Sequence, residues 1–304
     1  MSSVNSPPVA LLSGATGFVG SHLARRLDLD GWGVHIITRK TSSLQPIHSI
    51  LDRLILHTHD GTTEGMMAIM EKARPDVVFH LASNFLESHT PQDLVPLLES
   101  NVIFGTQLVE AMVENGMYSL VNTGTSWQHY KNKDYSPVCL YAATKQAFEA
   151  LLQYYVEATP LQVITLKLFD TYGPGDPRQK LFSSLNEAAS KNEPIAMSPG
   201  EQLIDLVYID DVVEAYIIAA ARLQNKSVLA HESYAVSSGR PISLTELVRL
   251  FTTETRTALT IQWGGRPYRP REVMVPWSSG ECLPGWNAKV SLKEGLRRIA
   301  NLAD

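Results

Sequence analysis

A tyrosine and a lysine four residues apart, in Tyr141-Ala-Ala-Thr-Lys145, can share one chemical task. On a helix, positions i and i+4 lie on one face, so the phenol and the ammonium would point into the same cleft. A free tyrosine titrates at about pH 10 and is a poor acid–base group at neutral pH. A neighbouring positive charge favours phenolate and should lower that value toward the working range. The pair predicts proton transfer at a substrate oxygen, with Tyr141 as the acid–base group. The bland alternative is that Tyr141 belongs to the packed face that carries Phe148, Leu152 and Tyr155. A second constellation, Gly14-Ala-Thr-Gly17-Phe-Val-Gly20, suits an anion. Gly14 allows a tight turn, Gly17 lets backbone approach a pyrophosphate, and Gly20 permits close helix–strand packing. The N–H groups at the start of the following helix would receive the negative charge.

These groups need a scaffold that puts the glycines between a strand and a helix. Residues 9–13 read as a buried strand, and 17–29 carry helical spacing (Val19, Leu23, Leu27) that stops at Gly31. Strands are expected at 34–37, 53–57, 76–82, 120–122, 163–168 and 206–209, and helices at 63–73, 91–115, 140–157, 210–223 and 291–301. Pro96 must lie in the first turns of the 91–115 helix, because an interior proline would break it. Strand and helix alternating in this way predict an α/β, Rossmann-type doubly wound parallel sheet. Beyond Tyr172 the pattern loosens and Pro and Gly become frequent, which predicts a smaller C-terminal portion interleaved with the first. The expected partition is 1–172 plus about 206–237 for the nucleotide-binding domain, and about 173–205 plus 238–304 for a substrate-binding domain. The 304 residues are 44% hydrophobic and 19% charged, which excludes a disordered chain. The longest apolar run, 215–221, is far short of the ~20 residues of a membrane span. A net charge of −5 without a basic block gives no support to nucleic-acid binding. Two cysteines, Cys139 and Cys282, make no disulfide framework and read as reduced thiols of a cytoplasmic enzyme. Residues 1–8 lack signal-peptide character and read as a short loose tail. No His, Cys or carboxylate cluster has metal-ligand spacing, so no metal is expected.

The glycine spacing G-x-x-G-x-x-G, followed by Y-x-x-x-K, resembles the short-chain dehydrogenase/reductase superfamily. The branch it resembles is the extended, nucleotide-sugar-modifying one, the NAD-dependent epimerase/dehydratase family. The likeness continues through Lys167-Leu-Phe-Asp-Thr-Tyr-Gly-Pro174 and Tyr208-Ile-Asp-Asp-Val212 to the ending 283–295, so it covers nearly the whole chain. It implies a bound nicotinamide dinucleotide whose positive ring would add to the lysine in favouring phenolate. Lys145 would also hold the nicotinamide ribose. It places Thr16, Phe18, Val19, Gly61, Asn101 and Thr123 among the cofactor contacts. Asp60 would meet the adenine amino group, and Leu81-Ala82-Ser83 would pass the ribose. For Asp60 an ordinary Asp-Gly turn is the rival reading. His80 reads as a packed strand residue. Thr125 is the expected hydroxyl that polarises the substrate carbonyl, with Ser126 in reserve. After the second strand, Thr38 stands where NAD enzymes place an acid, and Arg39 and Lys40 follow. Arginine pairs with a 2′-phosphate that an acid would repel, so NADP(H) is expected over NAD(H).

Three departures select among the reactions of this family. The triplet Thr125-Ser126-Trp127 has no acid, whereas 4,6-dehydratases carry Thr-Asp-Glu there, so dehydration is not expected. Thr38-Arg39-Lys40 argues for exchangeable NADPH and net reduction rather than an epimerase. In the substrate strand the family's asparagine is Asp170, whose carboxylate would repel phosphate. The chain most resembles reductases of CDP-4-keto-6-deoxyhexoses that make products such as abequose or paratose for lipopolysaccharide O-antigen. Expected substrate contacts are Phe85, Thr125, Ser126, Asp170, Arg178, Lys180 and Arg269, the last as the diphosphate ligand within a cluster with Arg266 and Arg271. A further family arginine is replaced by Ile204. Asp210 and Asp211 read as a helix cap. The rivals are a nucleotide-sugar epimerase with tightly held NAD(P) and a non-catalytic dinucleotide-binding regulator. The resemblance also implies a homodimer built through helices 91–115 and 140–157.

Overall fold

Short runs of buried aliphatic residues, each followed by an amphipathic stretch, build a parallel sheet covered on both faces. The computed structural model describes residues 6–178 and 180–300, so the first five residues of the expected tail and the expected helix end at Asn301 lie outside the described residues. The chain alternates through β1 (Val9–Ser13), α1 (Phe18–Leu29), β2 (Gly33–Thr38), β3 (Ile55–Thr58), α2 (Thr63–Ala73), β4 (Val77–His80), α3 (Leu94–Leu98), α4 (Phe104–Glu114), β5 (Ser119–Thr125), α5 (Leu140–Ala158) and β6 (Gln162–Leu168). There follow β7 (Asp170–Tyr172), α6 (Leu181–Lys191), β8 (Ile195–Ala196), β9 (Leu203–Ile204), β10 (Leu206–Tyr208), α7 (Ile209–Gln224), β11 (His231–Val236), β12 (Ile242–Ser243), α8 (Leu244–Thr255), β13 (Ile261–Gln262) and α9 (Leu292–Ile299).

Seven strands form one sheet in the order β11-β6-β5-β4-β1-β2-β3, and every neighbouring pair is parallel. This is the expected Rossmann-type architecture. One face is packed by Leu23 and Leu27 of α1 with Ala215 and Ala219 of α7. The other is packed by Met66 and Met70 of α2, Leu108 and Met112 of α4, and Phe148 and Leu152 of α5. Strand order reverses at β1, which lies between β2 and β4, and the crevice beyond the carboxyl ends of these strands is where such sheets hold ligands. A separate apolar cluster, Leu185, Met197, Leu244, Leu247, Phe251 and Leu296, ties α6, α8 and α9 together. No helix of the described residues is long and apolar enough to cross a membrane.

Two glycines of the first loop are required by space. Gly14 has φ +76°, and a Cβ there would lie 2.6 Å from the Ala82 backbone nitrogen. A Cβ on Gly20 would lie 2.1 Å from the Gly14 carbonyl oxygen, so α1 can approach β1 only without a side chain.

The predicted helix over 91–115 is not regular. A 3-10 turn (Pro91–Asp93) leads into α3, and a π-helical turn (Glu99–Ile103) separates α3 from α4. Pro96 lies in the first turn of α3, where its missing N–H is harmless. The π turn inserts an extra residue per turn and swings Asn101 inward, to 1% exposure. Asp210 and Asp211 correct another expectation: Tyr208 is the N-cap of α7, and the two acids lie in its first turn. Asp211 accepts the Val290 N–H at 2.9 Å, and Asp210 pairs with Arg298 at 3.4 Å.

Candidate active site

Two adjoining cavities open at the carboxyl edge of the sheet. The smaller, about 230 Å³, lies over the first loop and is lined by Gly14, Gly17, Phe18, Val19, Gly20, Leu81, Ser83, Thr123, Thr125, Tyr141 and Lys145. The larger, about 480 Å³, lies toward α6 and the C-terminal loops. They share Phe85, Ser126, Trp127, Phe169, Asp170 and Lys180.

Gly17 caps α1 without a side-chain hydrogen bond, so the first-turn N–H groups of the helix face the smaller cavity unscreened. Lys145 is 2% exposed and its Nζ has no hydrogen-bond partner among the described residues. Burial lowers its pKa to about 8; the Glu149 carboxylate opposes that fall and the Lys167 charge adds to it. A buried amine without acceptors beside an open helix N-terminus is a donor set missing its ligand. Hydroxyl-bearing ribose at Lys145 and pyrophosphate at residues 17–20 fit it, so the residues present match a dinucleotide.

Tyr141 lines the same cavity, one helical turn before Lys145 on α5. The Phe85 ring meets it edge-on, with centroids 4.9 Å apart. The expectation of a lowered phenol pKa is corrected here. Burial pushes Tyr141 up to about 12, and a hydrogen bond with Ser83 only partly offsets this. Without the positive ring of a cofactor, desolvation of the phenolate outweighs that hydrogen bond and the attraction of the Arg178 charge. At neutral pH the group is therefore a phenol, the form a proton donor must have.

Thr125 ends β5. Its Oγ1 accepts the Trp127 N–H at 3.3 Å, and its own N–H donates to Gln128 Oε1 at 3.0 Å. The hydroxyl proton remains available to a carbonyl oxygen in the cavity. Ser126 lines both cavities as the first residue of a 3-10 turn (Ser126–Gln128). Thr123 is also drawn in, with its hydroxyl 2.7 Å from that of Tyr216.

Behind these groups lies an ion pair that the sequence reading missed. Lys167 Nζ donates to Glu149 at 2.6 and 2.9 Å, and the two side chains are only 4% and 9% exposed. Gln128, fully buried, donates to Glu149 Oε1 at 3.0 Å and to Gln146 at 2.8 Å while accepting from Thr125. One signal was present: Lys167 is a lone charge in the apolar strand 163–168, and a charge buried there needs a partner.

The remaining expected residues divide. Arg39, Lys40, Asp60 and Gly61 follow β2 and β3 on the exposed surface and do not line the smaller cavity; nor do Thr16 and Ala82. The Asp60 carboxylate accepts both the backbone N–H (2.9 Å) and the hydroxyl (2.7 Å) of Thr62, which is the turn chemistry weighed against an adenine contact. Asn101 does not line the cavity either. Its amide accepts from Ser83 and the Asn84 N–H and donates to the Asn84 carbonyl and Thr144, so it braces the loop after β4. Arg178, expected at the substrate, lines the smaller cavity instead. Asp176 holds it at 2.6 Å, and its guanidinium lies 4.6 Å from the Phe18 ring centroid. Asp170 and Lys180 pair at 3.4 Å where the cavities join. His80 is a packed residue: Ser13 bonds its Nδ1 at 2.8 Å, and burial drives its pKa down to about 3.

A doubly wound sheet with an open glycine loop, an orphaned lysine and a cavity-lining tyrosine defines an NAD(P)-dependent enzyme of the extended short-chain dehydrogenase/reductase type. The chain belongs to the NAD dependent epimerase/dehydratase family, whose model matches residues 10–234. It is similar to a CDP-abequose synthase of Salmonella muenchen, 27% identical over 97% of both chains. Its fold is similar to that of a UDP-glucose 4-epimerase of Thermotoga maritima, with a TM-score of 0.83 and 23% identity over 96% of this chain and 97% of the other. A UDP-glucose 4-epimerase of Thermus thermophilus, solved with NAD, is also similar, with a TM-score of 0.79, 23% identity and the same two coverages.

Proposed function

We propose that this protein reduces the 4-keto group of a nucleotide-activated 6-deoxysugar with NADPH. The observation that carries the reading is that Tyr141 and Thr125 line one cavity, with no carboxylic acid in the turn that follows β5. Such a site can deliver a proton to a carbonyl oxygen, and the turn after β5 supplies no acid for eliminating water. The relative named for CDP-abequose supports a nucleotide-sugar substrate. A nicotinamide dinucleotide held by the backbone of residues 17–20 and by Lys145 would supply the hydride for the carbonyl carbon. Tyr141 gives its phenolic proton to the carbonyl oxygen, and Thr125 donates a hydrogen bond to that same oxygen. The Lys145 ammonium stabilises the phenolate left behind and holds the nicotinamide ribose. The aromatic groups shared by the two cavities exclude water from the reacting carbonyl. The apolar cluster under α6, α8 and α9 supports a substrate-binding portion made of 173–205 and 238–304. Screening NADPH oxidation against a panel of nucleotide 4-keto-6-deoxysugars tests the reading. Stoichiometric oxidation with one of them supports it. Sugar interconversion without net cofactor use would assign the chain to the epimerases instead.

The preference for NADPH rests on Arg39, whose guanidinium has no ion-pair partner among the described residues. Arg39→Ala should raise the KM for NADPH about tenfold, through loss of a charge-assisted contact to the 2′-phosphate, and leave NADH kinetics nearly unchanged. Equal losses with both cofactors, or a preference for NADH in the wild type, would remove that role.

The reading includes a homodimer. Val95 and Leu98 on α3, Ile103 in the π turn, and Leu151 and Tyr154 on α5 are exposed apolar groups on the two expected helices; Tyr154 is 66% exposed. Light scattering should give twice the chain mass, and Tyr154→Arg with Val95→Glu should halve it. A monomeric wild type would reject the pairing.

A further inference from the structure

The larger cavity must receive a diphosphate if the proposed function holds, and the following rests on that reading. Its cations are Lys180, Arg266 and Arg269, and its carboxylates are Glu87, Asp170, Asp205 and Glu272. Asp205 is satisfied by the Ser237 hydroxyl and by the hydroxyl and N–H of Ser238. Lys180 is paired with Asp170. Arg269, whose motif position suggested the diphosphate ligand, is doubly occupied. Glu272 accepts from its Nε and Nη2 at 3.0 and 2.8 Å, and Glu87, from the loop after β4, pairs with its Nη1. Ile204 lines the same cavity and offers no charge.

Arg266 differs from all of these. Its backbone N–H donates to the Met197 carbonyl at 3.1 Å, which fixes it at the cavity wall beside β8. Its guanidinium has no carboxylate or hydrogen-bond partner among the described residues. A fork of five N–H donors without an acceptor matches a diphosphate, whereas Arg269 must first give up a carboxylate. We infer that Arg266 is the first anchor of the substrate diphosphate, and that Glu87 occupies Arg269 as a stand-in which the phosphate displaces.

The inference makes opposite predictions for two exposed residues. Binding of CDP, UDP, GDP and dTDP to the NADP-loaded protein can be followed by calorimetry, independently of turnover. Arg266→Ala should weaken nucleoside diphosphate binding about 10- to 100-fold, the range of a lost charged hydrogen-bonding group, with no change in NADPH affinity. Glu87→Gln should tighten it several-fold by freeing Arg269. Arg271→Ala, whose guanidinium bonds Ser136 and does not line the cavity, should leave it unchanged. Unaltered affinity in Arg266→Ala, or equal or weaker affinity in Glu87→Gln, overturns the inference and leaves the proposed function standing. A wild type that binds none of CDP, UDP, GDP and dTDP overturns both. Diphosphate binding that depends on Arg266 in a protein that never oxidises NADPH sinks the reductase reading and keeps this one.

Discussion

Tyr141→Phe is expected to lower turnover by about 10²- to 10⁴-fold, the usual contribution of a positioned general acid, while NADPH binds within about threefold of wild type. The substitution removes one oxygen and keeps the ring that Phe85 packs against edge-on, so the local packing survives. Lys145, the groups around Gly17 and the Thr125 hydroxyl are all left in place. Loss of turnover with intact binding would therefore report the phenolic hydroxyl, that is, its proton and its bond with Ser83. Retained turnover would mean that another group supplies it, and would dismantle the assignment of roles in the cleft. Steady-state kinetics with a fluorescence titration of NADPH makes both measurements on one preparation.

The second large effect is on stability. Lys167→Met should destabilise the fold by about 3–5 kcal/mol, because it leaves the Glu149 carboxylate buried without its hydrogen-bonded cation. For a chain of this size that is a fall in Tm of roughly 5–8 °C in a thermal melt. The double change Lys167→Met with Glu149→Leu removes both charges and should recover most of the loss, as apolar replacement of a buried pair commonly does. Turnover should not recover with it. Gln128 would have lost the carboxylate that orients it, and Gln128 Oε1 is what holds the Thr125 N–H at 3.0 Å. If the single variant melted like wild type, the pair would not be the buried, mutually dependent unit described here.

How much of this was legible in the sequence follows from how far apart the interacting groups lie. The glycine loop and the Tyr141–Lys145 pair are local, and each needs only a strand end or one turn of helix to acquire its geometry. The helix end at Gly31, and strands marked by continuous aliphatic runs, could be read for the same reason. The Lys167–Glu149 pair could not. The crossover from α5 to β6 creates it, and only the lone charge in an apolar strand hinted at it. The phenol pKa was misjudged because the motif names the neighbouring charge but not the burial that opposes it. The π turn that turns Asn101 inward leaves no periodic signature in residues 91–115. Arg178 was assigned by proximity to the substrate strand, whereas Asp176 two residues earlier and the distant Phe18 ring decide where its guanidinium lies. Arg269 was read as a diphosphate ligand from its motif, which shows neither Glu272 three residues on nor Glu87 from the loop after β4 at its guanidinium.

The central claim is that a sugar carbonyl beside Tyr141 takes its hydrogen from the cofactor. Turnover with NADPH carrying deuterium at the transferable C4 position, followed by mass and NMR analysis of the product, tests it most directly. One deuterium at sugar C4 for each NADPH oxidised is the predicted result. Product without deuterium, or sugars interconverted while NADPH persists, would contradict the account.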